Sequence, residues 1–193
     1  MNAANHPDHL HFDELMKRAL AASAANDADA ALRLFGEASN AEPTSGLPHF
    51  LRASELAQLG RMEEAETAFA NAVILAPELH IARYQLGLLQ FTSARAAVAL
   101  VTWQPLLDLP DSDPLHSFVQ GFAALAADDF NDARHWFKRG ITDNVSNAPL
   151  NHDVQLVLAE LDKLLDVAPA QHDDSGTPAH VLISNYERHG SLH

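Results

Sequence analysis

The chain has 193 residues, with 26 acidic against 12 basic side chains, a formal net charge of -14 and no cysteine. The acidic excess makes non-specific binding to DNA, RNA or anionic lipid unfavourable. The missing cysteine excludes a disulfide framework, a thiolate nucleophile and cysteine-ligated zinc. No stretch approaches the roughly 18 to 20 apolar residues that cross a bilayer, and the start, MNAANHPDHLHFDELMKRAL, lacks the basic-then-apolar order of a secretory signal. A cytoplasmic location is therefore expected.

Residues 1–8 read as a loose leader. From about His9 to Ala25, Leu10, Leu15, Ala19 and Ala22 recur on one side of a helix. Asn26-Asp27 makes a turn, and Ala28 to Asn40 forms a second helix that ends before Glu42-Pro43. The same outline returns over Gly46 to Leu79, where Gly60 permits the left-handed conformation that ends a helix and Pro77 stops the next one. A third pair, His80 to Asp113, carries Leu86-Gly87 in its first helix and Pro105 inside its second. Proline there removes a backbone hydrogen bond and clashes with the preceding turn, so the helix is expected to kink or end near Gln104, with an irregular loop from Asp108 to Pro114. A fourth pair, Pro114 to Asn147, brings back Gly121, Asp128, Ala133 and Phe137 in register.

Pro149 to Asp166, PLNHDVQLVLAELDKLLD, reads as one more amphipathic helix. Residues 167–177 have linker composition, and residues 178–193 form a tail. In it, Thr177-Pro178 marks a helix start and Gly190 a helix end, placing a short helix over Ala179 to His189. Val181, Leu182, Ile183 and Tyr186 gather on one side of that helix, with Asn185, Glu187 and Arg188 on the other.

Three columns run through the pairs at a period of roughly 34 residues. Ala31, Ala65, Ala99 and Ala133 form one, Phe35, Phe69, Trp103 and Phe137 a second, and Ala19, Ala53, Gly87 and Gly121 a third. Each has a packing reason: small residues let the two helices of a pair cross closely, and the aromatic column fills the space between units. With the A-x3-F…P pattern of Ala65, Phe69 and Pro77, the chain resembles the tetratricopeptide repeat (TPR) family over about Phe12 to Asp166. Two columns weaken in the third pair, where Leu106 replaces a small residue and the closing proline is displaced to Pro110.

The resemblance implies an all-α fold, a right-handed α-solenoid occupying residues 9–166. It would contain repeats 12–45, 46–79, 80–113 and 114–147, a capping helix 149–166 with a polar outer face, and the short tail helix beyond. In that family, first-helix residues line a concave groove that binds a protein or peptide. The matching positions include Met16, Leu20 and Ala57, and above all Leu47, Phe50, Ile81, Tyr84, Leu88, Phe91, Leu115, Phe118, Phe122 and Leu125. Family members that clamp a peptide carboxylate place Lys, Arg and Asn at such sites, and this chain has mostly Phe, Leu and Tyr. The expected ligand is thus an apolar helix or extended segment, unless these side chains are core instead. Val181, Leu182, Ile183 and Tyr186 make the tail a candidate ligand for this groove, for that of a twin, or for the outer face of the capping helix.

The expected role is an adaptor or chaperone-like protein-binding module; in size, acidity and repeat content the chain is similar to the chaperones that hold secretion-system translocators. The alternative is a structural subunit that self-associates, for instance as a homodimer, through the same apolar surface. No catalytic residue, metal site or cofactor is expected. The cluster His6, His9 and His11 lies in the leader, His189 and His193 fare no better, and Asp128-Asp129 and Asp173-Asp174 read as solvated turn residues. No phosphate loop, nucleophile elbow or HExxH helix occurs, nor a basic stripe for nucleic acid.

Overall fold

The computed structural model describes residues 7–167, and among them nine α-helices and one 3-10 helix follow one another without a strand. They are α1 (Pro7–Ala24), α2 (Ala28–Ala41), α3 (Leu47–Gln58), α4 (Met62–Leu75), α5 (His80–Thr92) and α6 (Ala96–Trp103). A 3-10 helix (Gln104–Asp108), α7 (Pro114–Ala126), α8 (Phe130–Asp143) and α9 (Ala148–Val167) complete the set. The expected linker and tail helix lie outside the described residues, beyond a linker residue at Val167. The chain divides into two compact units, with the break after Arg83, inside α5.

In the 7–83 unit, α1 packs on α2, α2 against α3, and α3 on α4. Leu15, Met16 and Ala19 of α1 meet Ala31, Leu34, Phe35 and Ala38 of α2 in one apolar cluster, with Phe12, Ala22, Ala41 and Leu51 at its edge. Burying one such leucine or phenylalanine contributes roughly 1.5 to 3 kcal/mol. The Asp27 carboxylate caps α2 by accepting from the Ala30 amide. The Ser23 hydroxyl, near the end of α1, donates to the buried Glu55 carboxylate of α3, which ties the two first helices together.

In the 84–167 unit, α7 packs on α8, α8 on α9, and α6 with the 3-10 helix on α7. Pro105 acts as its chemistry requires: α6 ends at Trp103, and the chain tightens into the 3-10 turn that buries Leu106. Three asparagines join α8 to α9. The Asn144 amide donates to the Asn147 carbonyl and to Asn151 Oδ1, both at 2.8 Å, while Asn151 Nδ2 donates back to the Asn144 carbonyl at 2.9 Å. Asn147 Oδ1 accepts from the Leu150 amide and so caps α9.

Every hairpin turns in the same way. Asn26, Gly60, Ala94 and Asp128, spaced 34 residues apart, all have positive φ, between 57° and 72°. After each, an amide reaches back to close a six-residue loop: Asp27 to the Ala22 carbonyl, Arg61 to Leu56, Arg95 to Gln90 and Asp129 to Ala124. This is the Schellman helix ending, and it satisfies carbonyls that the helix end leaves without partners.

The columns of small and aromatic residues meet inside each hairpin. Ala19, Ala53, Ala31, Ala65, Ala99 and Ala133 are fully buried, and Phe35, Phe69, Trp103 and Phe137 almost so. A Cβ built on Gly87 would stand 2.2 Å from the Trp103 indole nitrogen, and one on Gly121 would stand 2.5 Å from the Phe137 ring. Glycine is therefore required at both places by the ring lying across it.

Candidate interaction surface

The first helices of the hairpins carry the apolar side chains expected to line a groove, and these are buried to different extents in the two units. In the 7–83 unit, Leu20 on α1 is 48% exposed and Leu47 at the start of α3 is 43% exposed. Phe50 is half-buried, with its ring 6.0 Å from that of Phe69, and Ile81 is half-buried as well. Met16 and Ala57 are core residues.

In the 84–167 unit, the remaining seven expected groove residues, Tyr84, Leu88, Phe91, Leu115, Phe118, Phe122 and Leu125, are all buried. Their rings support one another. Phe122 lies 5.1 Å from both Phe91 and Trp103 and 5.0 Å from Phe137, while Tyr84 lies 6.0 to 6.4 Å from Trp103, Phe118 and Phe122. Offset and edge-on contacts of this kind add to simple area burial. The Trp103 indole N–H is satisfied by the Tyr84 carbonyl at 2.9 Å. Phe118 also lies across Gly140 of α8, so it is the packing of these helices on one another that screens the side chains from water. Val181, Leu182, Ile183 and Tyr186 lie outside the described residues.

The second helices turn charge outward. Arg33 pairs with Glu37 on α2, Arg61 with Glu64 at the start of α4, and Arg139 with Asp143 on α8, where its guanidinium also sits 5.3 Å over Trp136. The α6 face differs. No charged residue occurs from Ala96 to Leu107, and Val98 and Val101 are exposed, the latter at 74%. Reading by period alone missed this face because AAVALVTWQPLL is apolar on every side. Its missing charges were the available signal.

Titratable groups gather little. Among the described residues no three His, Cys, Asp or Glu side chains lie where they could share a metal ion, and of the early histidine cluster only the His11 side chain is described, exposed on α1. On α3, burial pushes the His49 imidazole below its ordinary value, and the neighbouring Arg52 charge acts in the same direction. No helix among the described residues is long and apolar enough to cross a membrane.

Helix hairpins at a fixed spacing, each closed by a left-handed residue and packed by a small-against-aromatic pair, define an all-α tetratricopeptide-repeat fold. Solved structures agree with it. The chain is similar to MamA, residues 41 to the end, from Desulfovibrio magneticus RS-1, with a TM-score of 0.61 and 16% identity over 96% of this chain and 94% of that one. It is similar to YrrB, described as a TPR protein with an unusual peptide-binding site, at a TM-score of 0.56 and 17% identity over 96% of this chain and all of that one. A chain of the APC/C hetero-tetramer Cut9–Hcn1 matches at a TM-score of 0.67 and 19% identity, over 93% of this chain and 35% of its own length. At such identities the likeness speaks to fold alone. No family model matches the chain, and no curated protein does.

Proposed function

We propose that this protein is a non-catalytic interaction module, an adaptor or chaperone-like protein that takes an apolar helix or extended apolar segment of a partner along the faces of its first helices. One observation carries the reading: Leu20 on α1 and Leu47 on α3 are large apolar side chains left about half exposed on the first helices of neighbouring hairpins, with the half-buried Phe50 one turn along α3 from Leu47. Covering a fully exposed anchor of this kind contributes roughly 1.5 to 3 kcal/mol, and these half-open side chains would supply about half of that each, so a partner would have to engage several of them together. The peptide-binding site described for YrrB supports the same use of the fold. A cytoplasmic setting belongs to this reading, since no part of the chain calls for an oxidising compartment.

The test is titration of labelled amphipathic helical peptides into the full chain and into its Leu47→Asp variant. Loss of at least about tenfold in affinity is expected, since a charge would replace a buried anchor; equal affinity would refute the assignment of this face. A second reading, a structural subunit that self-associates, is favoured by the charge-free outer face of α6 with Val98 and Val101 exposed. Sedimentation of the native chain against Val101→Glu tests it, with a concentration-dependent dimer in the native chain alone as the supporting result.

A further inference from the structure

We infer that two copies of this chain pair through α6, antiparallel about a two-fold axis beside Val101, with Arg95 of each copy facing Asp108 of the other; this rests on the second reading above and names its geometry. The repeat makes the unusual surface visible from within the molecule. Along α6 and the 3-10 turn that continues it, Val98, Val101 and Pro105 are exposed at helical spacing on one side. By the 34-residue spacing the same places hold Asp132, His135 and Arg139 on α8, and Glu64, Thr67 and Asn71 on α4. Where its sister helices meet water with polar and charged groups, α6 presents Val98 at 46% and Val101 at 74% exposure.

The charges at the two ends of this face point to its occupant. Arg95 is exposed at its start and Asp108 at its end, with no charged residue from Ala96 to Leu107 between them. Val101 lies midway, about 10 Å from either. An antiparallel copy crossing at Val101 therefore brings each Arg95 to an Asp108, twice in one interface, whereas a parallel copy sets Arg95 on Arg95 and Asp108 on Asp108. A face with opposite charges at its ends and apolar side chains between them is complementary to itself, as a two-fold interface requires. Two chains of net charge -14 repel one another in general, and the uncharged stripe is where they approach at least cost. The end pairs fix orientation more than strength. The face is about 20 Å long and one helix wide, well under the roughly 800 Å² per partner of a standard interface, so the dimer is weak, with a dissociation constant on the order of 100 µM.

Two measurements on the full chain test the inference. In sedimentation equilibrium, Arg95→Glu and Asp108→Arg should each weaken the native dimer about tenfold, because two attractive pairs become two repulsive ones, and the double variant should recover it to within about twofold. A double variant that stays weak, while Val101→Glu abolishes the dimer, would overturn the antiparallel geometry and leave the self-associating reading standing. A native chain that remains monomeric, or a Val101→Glu variant that dimerises as the native chain does, would overturn both. The chain has no cysteine, so a single introduced thiol reports its own surroundings. Oxidation of Val101→Cys should give a disulfide-linked dimer at least about tenfold faster than oxidation of His135→Cys, its counterpart on α8, since only the first lies beside the two-fold axis. Equal rates would overturn the pairing through α6.

Discussion

The Trp103 indole lies so close to Gly87 that a Cβ there would stand 2.2 Å from the ring nitrogen. The ring has no room to withdraw: Trp103 is fully buried and its N–H is held by the Tyr84 carbonyl at 2.9 Å. Gly87→Ala should therefore destabilise the protein by about 1 to 3 kcal/mol, because overpacking of that size outweighs the roughly 1 kcal/mol by which alanine favours a helix. Gly36, inside α2, has open space where its Cβ would point. There the same substitution should stabilise by about 0.5 to 1 kcal/mol. Urea unfolding of the two variants compares effects of opposite sign from one chemical change.

Ala94 holds a φ of 59° at the turn between α5 and α6, the place taken by Asn26, Gly60 and Asp128 in the other hairpins. A left-handed alanine costs roughly 1 to 2 kcal/mol in contact with its own carbonyl. Ala94→Gly should raise stability by about 1 kcal/mol, after the extra freedom of glycine in the unfolded chain is set against that relief. A lowered melting temperature would show that the turn is held in some other way.

Asn144 is buried and its side chain serves both the loop and α9. Replacing it with alanine leaves the Asn147 carbonyl and Asn151 Oδ1 without that donor, at a cost of about 1 to 3 kcal/mol. Amide exchange in α9 should accelerate first, ahead of α7 and α8. Uniform acceleration through the 84–167 unit would contradict this local role.

His49 binds a proton less readily in the folded protein than in the unfolded chain, through burial first and the Arg52 charge second. Its folded value lies below the ordinary one near 6.5, so its contribution is complete above about pH 6.5 and is lost as the pH falls through that value and below. His49→Asn should flatten the stability profile in that window and leave it unchanged near pH 8. Parallel profiles for variant and native chain would refute the assignment.

The helix pairs were legible because their signals are local or repeat at one period. Gly87 and Gly121 could be read as close crossings, and Pro105 as the end of α6, from residue chemistry and spacing alone. Ala94 could not be read as a left-handed turn, since only its place in the 34-residue register betrays it and its own chemistry argues the other way. The apolar pattern assigned Tyr84, Phe118 and Phe122 the same first-helix role as Leu47. Periodicity says which way a side chain points and not what lies over it, and so the half-open Leu47 and the sealed Phe122 have one signature in sequence. The outer face of α6 escaped for a related reason: a helix apolar all round gives no direction to its exposed side.

The most direct measurement is methyl NMR of the full chain, with Leu20 and Leu47 assigned, during titration with an amphipathic apolar helical peptide. The account predicts saturable shifts at these two leucines, with Ile74, Val98 and Val101 on the outer faces unmoved. Shifts confined to Val98 and Val101, or none at Leu20 and Leu47 while the peptide binds, would contradict it.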